Sequence, residues 1–143
     1  MLGVASVAVQ SWLRQERQTE LSRAANDGDL PAVMRCVEAG ANIEEGNRMP
    51  DGNYGQPPLT LAASTGRTAV VRYLLDHGAT ANLPGFSNPL IVACWKGEHE
   101  VAKLLLERGA DPNVRGQGTP LSAAEETHQR ELAALIRAHG AKQ

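Results

Sequence analysis

The chain has 143 residues, 42% apolar and 21% charged, with a formal net charge of -2 at pH 7. Those values suit one globular domain and leave too little chain for two independent cores. The charge balance argues against a nucleic-acid-reading face, no run approaches the roughly eighteen apolar residues of a membrane span, and aromatics at 3% leave a core of Leu, Val and Ala.

The first eighteen residues, MLGVASVAVQSWLRQERQ, are mildly apolar but have no basic start, and Ser6, Gln10 and Ser11 interrupt anything resembling a secretory leader. No Gly or Pro separates residues 4 to 27, so two readings stand: one long helix, or a helix from Glu20 with Thr19 as its N-cap. In both, Val4, Val7, Trp12 and Leu13 need cover. Residues 1–18 are therefore expected to form a helix that caps the exposed side of the first packed unit downstream, with a dimerisation helix as the alternative.

From residue 19 the chain repeats. Pro58-Leu59, Pro89-Leu90 and Pro120-Leu121 are spaced by 31 and 31 residues. Ala62, Ala93 and Ala124 keep the same step, and Gly78-Ala79, Gly109-Ala110 and Gly140-Ala141 close each unit. Gly40-Ala41, with Ala24-Ala25 upstream, marks an earlier unit, so four are expected, at about 19–50, 51–83, 84–114 and 115–143. Asn88 and Thr119 stand where an N-cap oxygen accepts from free amides, and Pro89 and Pro120 follow at the first helical position. Gly66 and Gly97 stop a first helix after about two turns, and a second stretch such as Val70, Val71, Leu74 and Leu75 ends at Gly78. Helices this short persist in water only by burying their apolar stripes against neighbours, so the pairs must stack.

The stretches PPLTLAASTGRTAVVRYLLDHGATAN and NPLIVACWKGEHEVAKLLLERGADPN resemble the ankyrin repeat, with its T-P-L-H-x-A-A-x-x-G and L-L-x-x-G-A-D-x-N blocks, and the resemblance covers residues 19–143. It implies an all-α solenoid of stacked helix-turn-helix units with short hairpin-like connecting loops. It also implies a noncatalytic module that binds another protein through a concave face and loops, as an inhibitor, an immunity factor or a scaffold subunit. The residues that match the family's concave helix surface are Asn26, Asp27, Ser64, Thr65, Trp95, Lys96, Glu126 and Thr127. This chain departs from the family pattern in two ways. The connections from Gly78 to Pro89 and from Gly109 to Pro120 are short, so their tips should be stubby. The histidine after Pro-Leu is replaced by Thr60, Ile91 and Ser122, which puts its bonds to the hairpin backbone in doubt.

Between the first two units the connection grows instead: Gly40 to Pro58 spans 18 residues where the later copies take 11. This loop carries Arg48, Met49 and Tyr54 and reads either as a partner-contacting finger or as a disordered tip. Trp95 falls in midstack, outside the core pattern. With Phe86 and Tyr54 it is expected to form an anchor row for a partner, since a few large aromatics dominate interface energies; the alternative has Trp95 folded over a shortened hairpin. Arg48, Lys96, Arg115 and Glu126 would add polar specificity. Tyr73 has the helical spacing of the core edge.

Glu125 and Arg137 occupy sites held by apolar residues in the earlier units, the mark of a terminal repeat, so the stack is expected to end there. The four histidines lack metal-ligand spacing, and GNYGQP and GQGTP lack a phosphate-loop context. Cys36 and Cys94 sit two units apart on apolar stripes, too far for a disulfide, as buried thiols of a reducing compartment such as the cytoplasm. No enzyme, cofactor or metal is expected. The chain should be a monomer unless the N-terminal helix dimerises.

Overall fold

The computed structural model describes residues 3–142; the side chains of Val4 and Ala5 and the whole of Gln143 lie outside the described residues. Among the described residues, eight α-helices stand in four pairs. They are α1 (Gly3–Asp27) with α2 (Leu30–Glu38), α3 (Pro58–Ser64) with α4 (Thr68–Asp76), α5 (Pro89–Lys96) with α6 (His99–Glu107), and α7 (Pro120–Glu126) with α8 (Arg130–Ala138). Each first helix packs on its own second helix and on the first helices of flanking pairs, while second helices touch second helices, so the main contacts run between neighbours. This is the stacked solenoid that the repeat predicts.

The start and stop chemistry of each helix follows from its residues. Asn88 is fully buried; its Oδ1 accepts from the Leu90 and Ile91 amides at 3.0 and 3.1 Å, and its Nδ2 donates to the Leu83 carbonyl at 2.8 Å, so both of its side-chain polar atoms have partners. Thr119 and Ser122 form a reciprocal capping box at the start of α7. Asp29 caps α2 through the Ala32 amide, a signal absent from the sequence reading. First helices end at left-handed residues: Gly28, Gly66, Gly97 and, in the fourth pair, His128 at φ 59°. The helical pair of small residues at Ala24-Ala25, Ala62-Ala63 and Ala93-Cys94 is buried; in the last repeat Ala124 keeps the first position, Glu125 takes the second, and Ala123 is buried beside it.

The ambiguity at Thr19 resolves to one continuous helix. α1 runs 25 residues across the expected boundary at 18–19, and the Thr19 hydroxyl donates to the Gln15 carbonyl at 2.9 Å within it. Leu21, Ala24 and Ala25 enter the core, but the helix from Ser6 to Glu16 stands exposed; Val7 and Trp12 are mostly bare, and Leu13, 39% exposed, borders a recess shared with Arg35, Cys36 and Ala39 of the α2 side. What α1 supplies to the first repeat comes from Gln18. Its Oε1 accepts from the Asn42 amide at 2.9 Å, and its Nε2 donates to the carbonyls of Asn42 and Glu45.

That bond recurs along the stack. Glu44 accepts from the Thr80 amide at 2.8 Å, Asn82 from the Asp111 amide at 2.7 Å, and Asn113 from the Lys142 amide at 2.7 Å. Glu44, Asn82 and Asn113 each stand four residues after the glycine that closes a repeat, and each bonds the backbone two residues after the next such glycine. Gln18 takes the same role from a helix. A second set of contacts points backward: the side chains of Arg67, Glu98 and Gln129 lie over Gly28, Gly66 and Gly97 of the preceding repeat. The lost histidine is partly replaced, because the buried Thr60 hydroxyl donates to the Ser87 carbonyl of the next connection at 2.6 Å, whereas Ser122 stays within its own cap.

At the far end Glu125 and Arg137 are exposed and ion-paired with each other, as expected for two charged sites replacing core positions. His128 is the one described non-glycine residue with positive φ, a conformation that crowds Cβ against the backbone. His128→Gly is therefore expected to raise the unfolding free energy by about 0.5–1 kcal/mol, read as a higher urea midpoint at unchanged slope; an unchanged or lower midpoint contradicts this account of the turn.

Candidate functional site

The long connection between the first two repeats folds as a β-hairpin. The Met49 amide donates to the Asn53 carbonyl and the Gly55 amide to the Asn47 carbonyl, both at 2.8 Å, and Arg48 pairs with Tyr54 as an antiparallel bridge. Its turn is held by Asp51, whose carboxylate accepts from the Asn53 amide and side chain; those bonds, the backbone one first, keep its pKa below the ordinary carboxylate value. At the root, Gly46 is buried against the Gly55 carbonyl, and a β-carbon there would overlap that backbone oxygen. Only glycine lets the two strands close.

Bridge partners in a hairpin project to the same face. Arg48 and Tyr54 accordingly line one wall of a cleft of about 480 Å³, whose other wall is the α1 face bearing Ser11, Arg14 and Gln18. Met49 alternates to the opposite face and is exposed. The sequence reading named Arg48, Met49 and Tyr54 but missed Arg14. The signal available was the helical spacing of Ser11, Arg14 and Gln18, which puts them on one stripe once α1 is taken as continuous.

The other expected residues are distributed along the stack. Ser64 donates its hydroxyl to the Leu61 carbonyl at 2.8 Å, and the Thr65 hydroxyl lies 3.0 Å from both the Leu61 and Asn26 carbonyls, tying α3 to the end of α1. Trp95 and Lys96, in the last turn of α5, are exposed, Trp95 by 37%. Glu126 is exposed at the end of α7. Phe86, 71% exposed, sits in the short 3-10 turn Gly85–Ser87 that precedes α5. Since Pro89 and Trp95 are six residues apart, the rise of α5 puts about 9 Å of helix between the Phe86 end and Trp95. Tyr54 lies one connection earlier, facing α1. Arg115 lines a separate open cleft at the last repeat with Thr119, Glu125 and Lys142. Tyr73 packs against the core edge and stacks on His77, ring centroids 3.9 Å apart.

No group of three or more His, Cys, Asp or Glu gathers for a metal ion among the described residues, and no described helix is long and apolar enough to cross a membrane. His77 and His139 each place Nδ1 within hydrogen-bond reach of the carbonyl four residues back, Tyr73 and Leu135 respectively. Cys36 and Cys94 are buried free thiols. Desolvation raises both, Cys94 from 9.0 to about 12, with the Glu20 carboxylate adding to the rise at Cys36.

A raised thiol pKa keeps the folded state protonated while the unfolded chain ionises, so stability at Cys94 is complete below about pH 9 and falls as pH rises toward 12. At pH 8 the folded protein should resist N-ethylmaleimide at both cysteines and react twice in denaturant, by mass spectrometry; prompt labelling of the folded chain would contradict the burial described.

The family described as ankyrin repeats (3 copies) matches residues 21–116. Curated relatives match about half of the chain. The mouse (Mus musculus) ankyrin repeat, SAM and basic leucine zipper domain-containing protein 1 is 34% identical over 68 residues, 48% of this chain and 13% of that protein. Its counterparts in Mustela putorius furo and Loxodonta africana are 36% identical over 70 residues and 35% over 79, covering 49% and 54% of this chain and 14% and 16% of theirs. The chain thus corresponds to a small part of those longer proteins. The α7 and α8 pair lies beyond the matched residues yet repeats the same packing, burial and amide bond from Asn113. With a buried alanine in register at Ala24, Ala62, Ala93 and Ala124, Gly-Ala closures in all four helix pairs and Pro-Leu helix starts in the last three, the chain belongs to the ankyrin-repeat family.

Proposed function

We propose that this chain is a noncatalytic docking module that holds a partner protein along its first-helix ends and connecting loops, as an inhibitor, an immunity factor or a scaffold subunit. Ankyrin repeats are generally protein-protein interaction modules. The observation that carries the reading is the exposure of three aromatics in the repeats and their connections: Trp95 by 37%, Tyr54 by 62% and Phe86 by 71%. Large aromatics that stay exposed on a packed support are the usual anchors of an interface, and Trp95 and Tyr54 add a polar tip to an apolar body. Lys96 next to Trp95 and Arg48 opposite Tyr54, with Glu126 and Arg115 farther along the stack, would add charge for selectivity, and Ser64, Thr65 and Met49 would complete the surface. Buried free thiols suit a reducing compartment such as the cytoplasm.

A partner captured by the intact chain and identified by mass spectrometry permits the test. Trp95→Ala is expected to weaken its binding by about 2 kcal/mol or more in calorimetry, while lowering folding stability by under about 1 kcal/mol. Unchanged affinity, or collapse of the fold, removes Trp95 from the interface.

A second reading is carried by α1. Val7, Val9, Trp12 and Leu13 are exposed on its projecting half, and residues 3–13 hold no charge. Val9, Trp12 and Leu13 fall within one helical stripe at spacings of three and four, suited to pairing with the same stripe of a second copy. Sedimentation equilibrium should then show a dimer at micromolar concentration that Trp12→Glu converts to monomer; a monomer across that range rules this reading out.

A further inference from the structure

The cleft between α1 and the first hairpin concentrates charge of one sign. Arg14 and Arg17 from the helix and Arg48 from the hairpin line it against a single acidic residue, Glu45. The ion pairs of the described residues are made elsewhere, by Arg35, Arg108 and Arg137. Arg17 is shared with the neighbouring recess that holds Glu16 and Glu20, so Arg14 and Arg48 are the two arginines particular to this one, and among the described residues neither has a carboxylate in ion-pair contact. The walls are fixed relative to each other: Gln18, one turn after Arg14, is bonded to the backbone of Asn42 and Glu45, and Arg48 is held opposite Tyr54 by the hairpin bridge. The recess is thus set before any ligand arrives, which lowers the ordering cost of binding.

Guanidinium forks match carboxylates in pairs of charge-assisted hydrogen bonds. Tyr54, 62% exposed, adds a ring against which an extended chain can lie. A polynucleotide fits poorly, because Glu45 sits among the arginines and Tyr54 is the single aromatic ring of the lining, whereas stacking grooves present several. A flat anionic membrane would have to reach arginines that line a recess. Resting on the protein-binding reading above, we propose that this cleft grips a short carboxylate-rich segment of the partner protein.

The test uses the full chain and a fluorescein-labelled hexaglutamate peptide, with hexaglutamine as the uncharged control, read by anisotropy at low and physiological salt. Hexaglutamate is expected to bind, to weaken as salt screens the charges, and to lose about fivefold or more in affinity with Arg14→Gln and again with Arg48→Gln. Arg72→Gln, an exposed arginine on α4, serves as the control and should change nothing. Thermal midpoints of the variants should match the parent, since Arg14 and Arg48 are exposed or line an open cleft. Absence of hexaglutamate binding, equal loss with Arg72→Gln, or tighter binding of labelled oligouridylate or phosphatidylserine vesicles overturns the proposal. Partner binding that still depends on Trp95 while hexaglutamate is ignored overturns the cleft alone and leaves the docking reading standing.

Discussion

Every helix after α1 has seven to nine residues, fewer than an isolated helix needs to persist in water. What holds them is the close approach of first helices, which the buried pairs Ala24-Ala25, Ala62-Ala63, Ala93-Cys94 and Ala123-Ala124 permit because no large side chain stands between adjacent backbones. The leucines and valines behind, Leu59, Leu90 and Leu121 with Val33, Leu74, Leu105 and Ile136, then fill the space between layers. A bulky residue at any of these small positions would separate two repeats and expose two apolar faces together, so the stability of one pair is a property of its neighbours.

Packing fixes the distance between repeats, and polar bonds fix their register. The side chains of Gln18, Glu44, Asn82 and Asn113 each reach a backbone amide of the following repeat, while Arg67, Glu98 and Gln129 cover a turn of the preceding one. The chemistry at these places varies from amide to carboxylate, and the geometry does not. A carboxylate accepts from an amide as well as a carboxamide oxygen does, which is why Glu44 can stand where the later repeats carry Asn.

The repeat, its phase and most helix starts were legible because they rest on residues whose effect is local: Pro at a first turn, Asn88 and Thr119 as caps, Gly97 as a left-handed stop. The charged sites of the last repeat were legible for a similar reason, since Glu125 and Arg137 break a periodic apolar pattern. The continuity of α1 was not, because Thr19 serves equally as a cap or, through its bond to Gln15, as an interior residue. Nor was the basic cleft. Arg14, Arg48 and Tyr54 are far apart in the chain, and their meeting depends on Gln18 fixing the helix and on Gly46 letting the hairpin close. Both are tertiary facts with no periodic trace. Tyr54 was expected beside Trp95 and Phe86; the hairpin instead turns it toward α1.

The amide bonds accepted by Asn82 and Asn113 run one way along the chain, each spanning 29 residues, and repeat at a step of 31. A segment of that length, cut between one connection and the next, carries both a donor site for the repeat before it and an acceptor for the repeat after it. Copying such a cassette into the middle of the gene would lengthen the rod by one rung while leaving both of its ends, and whatever each end touches, as they were.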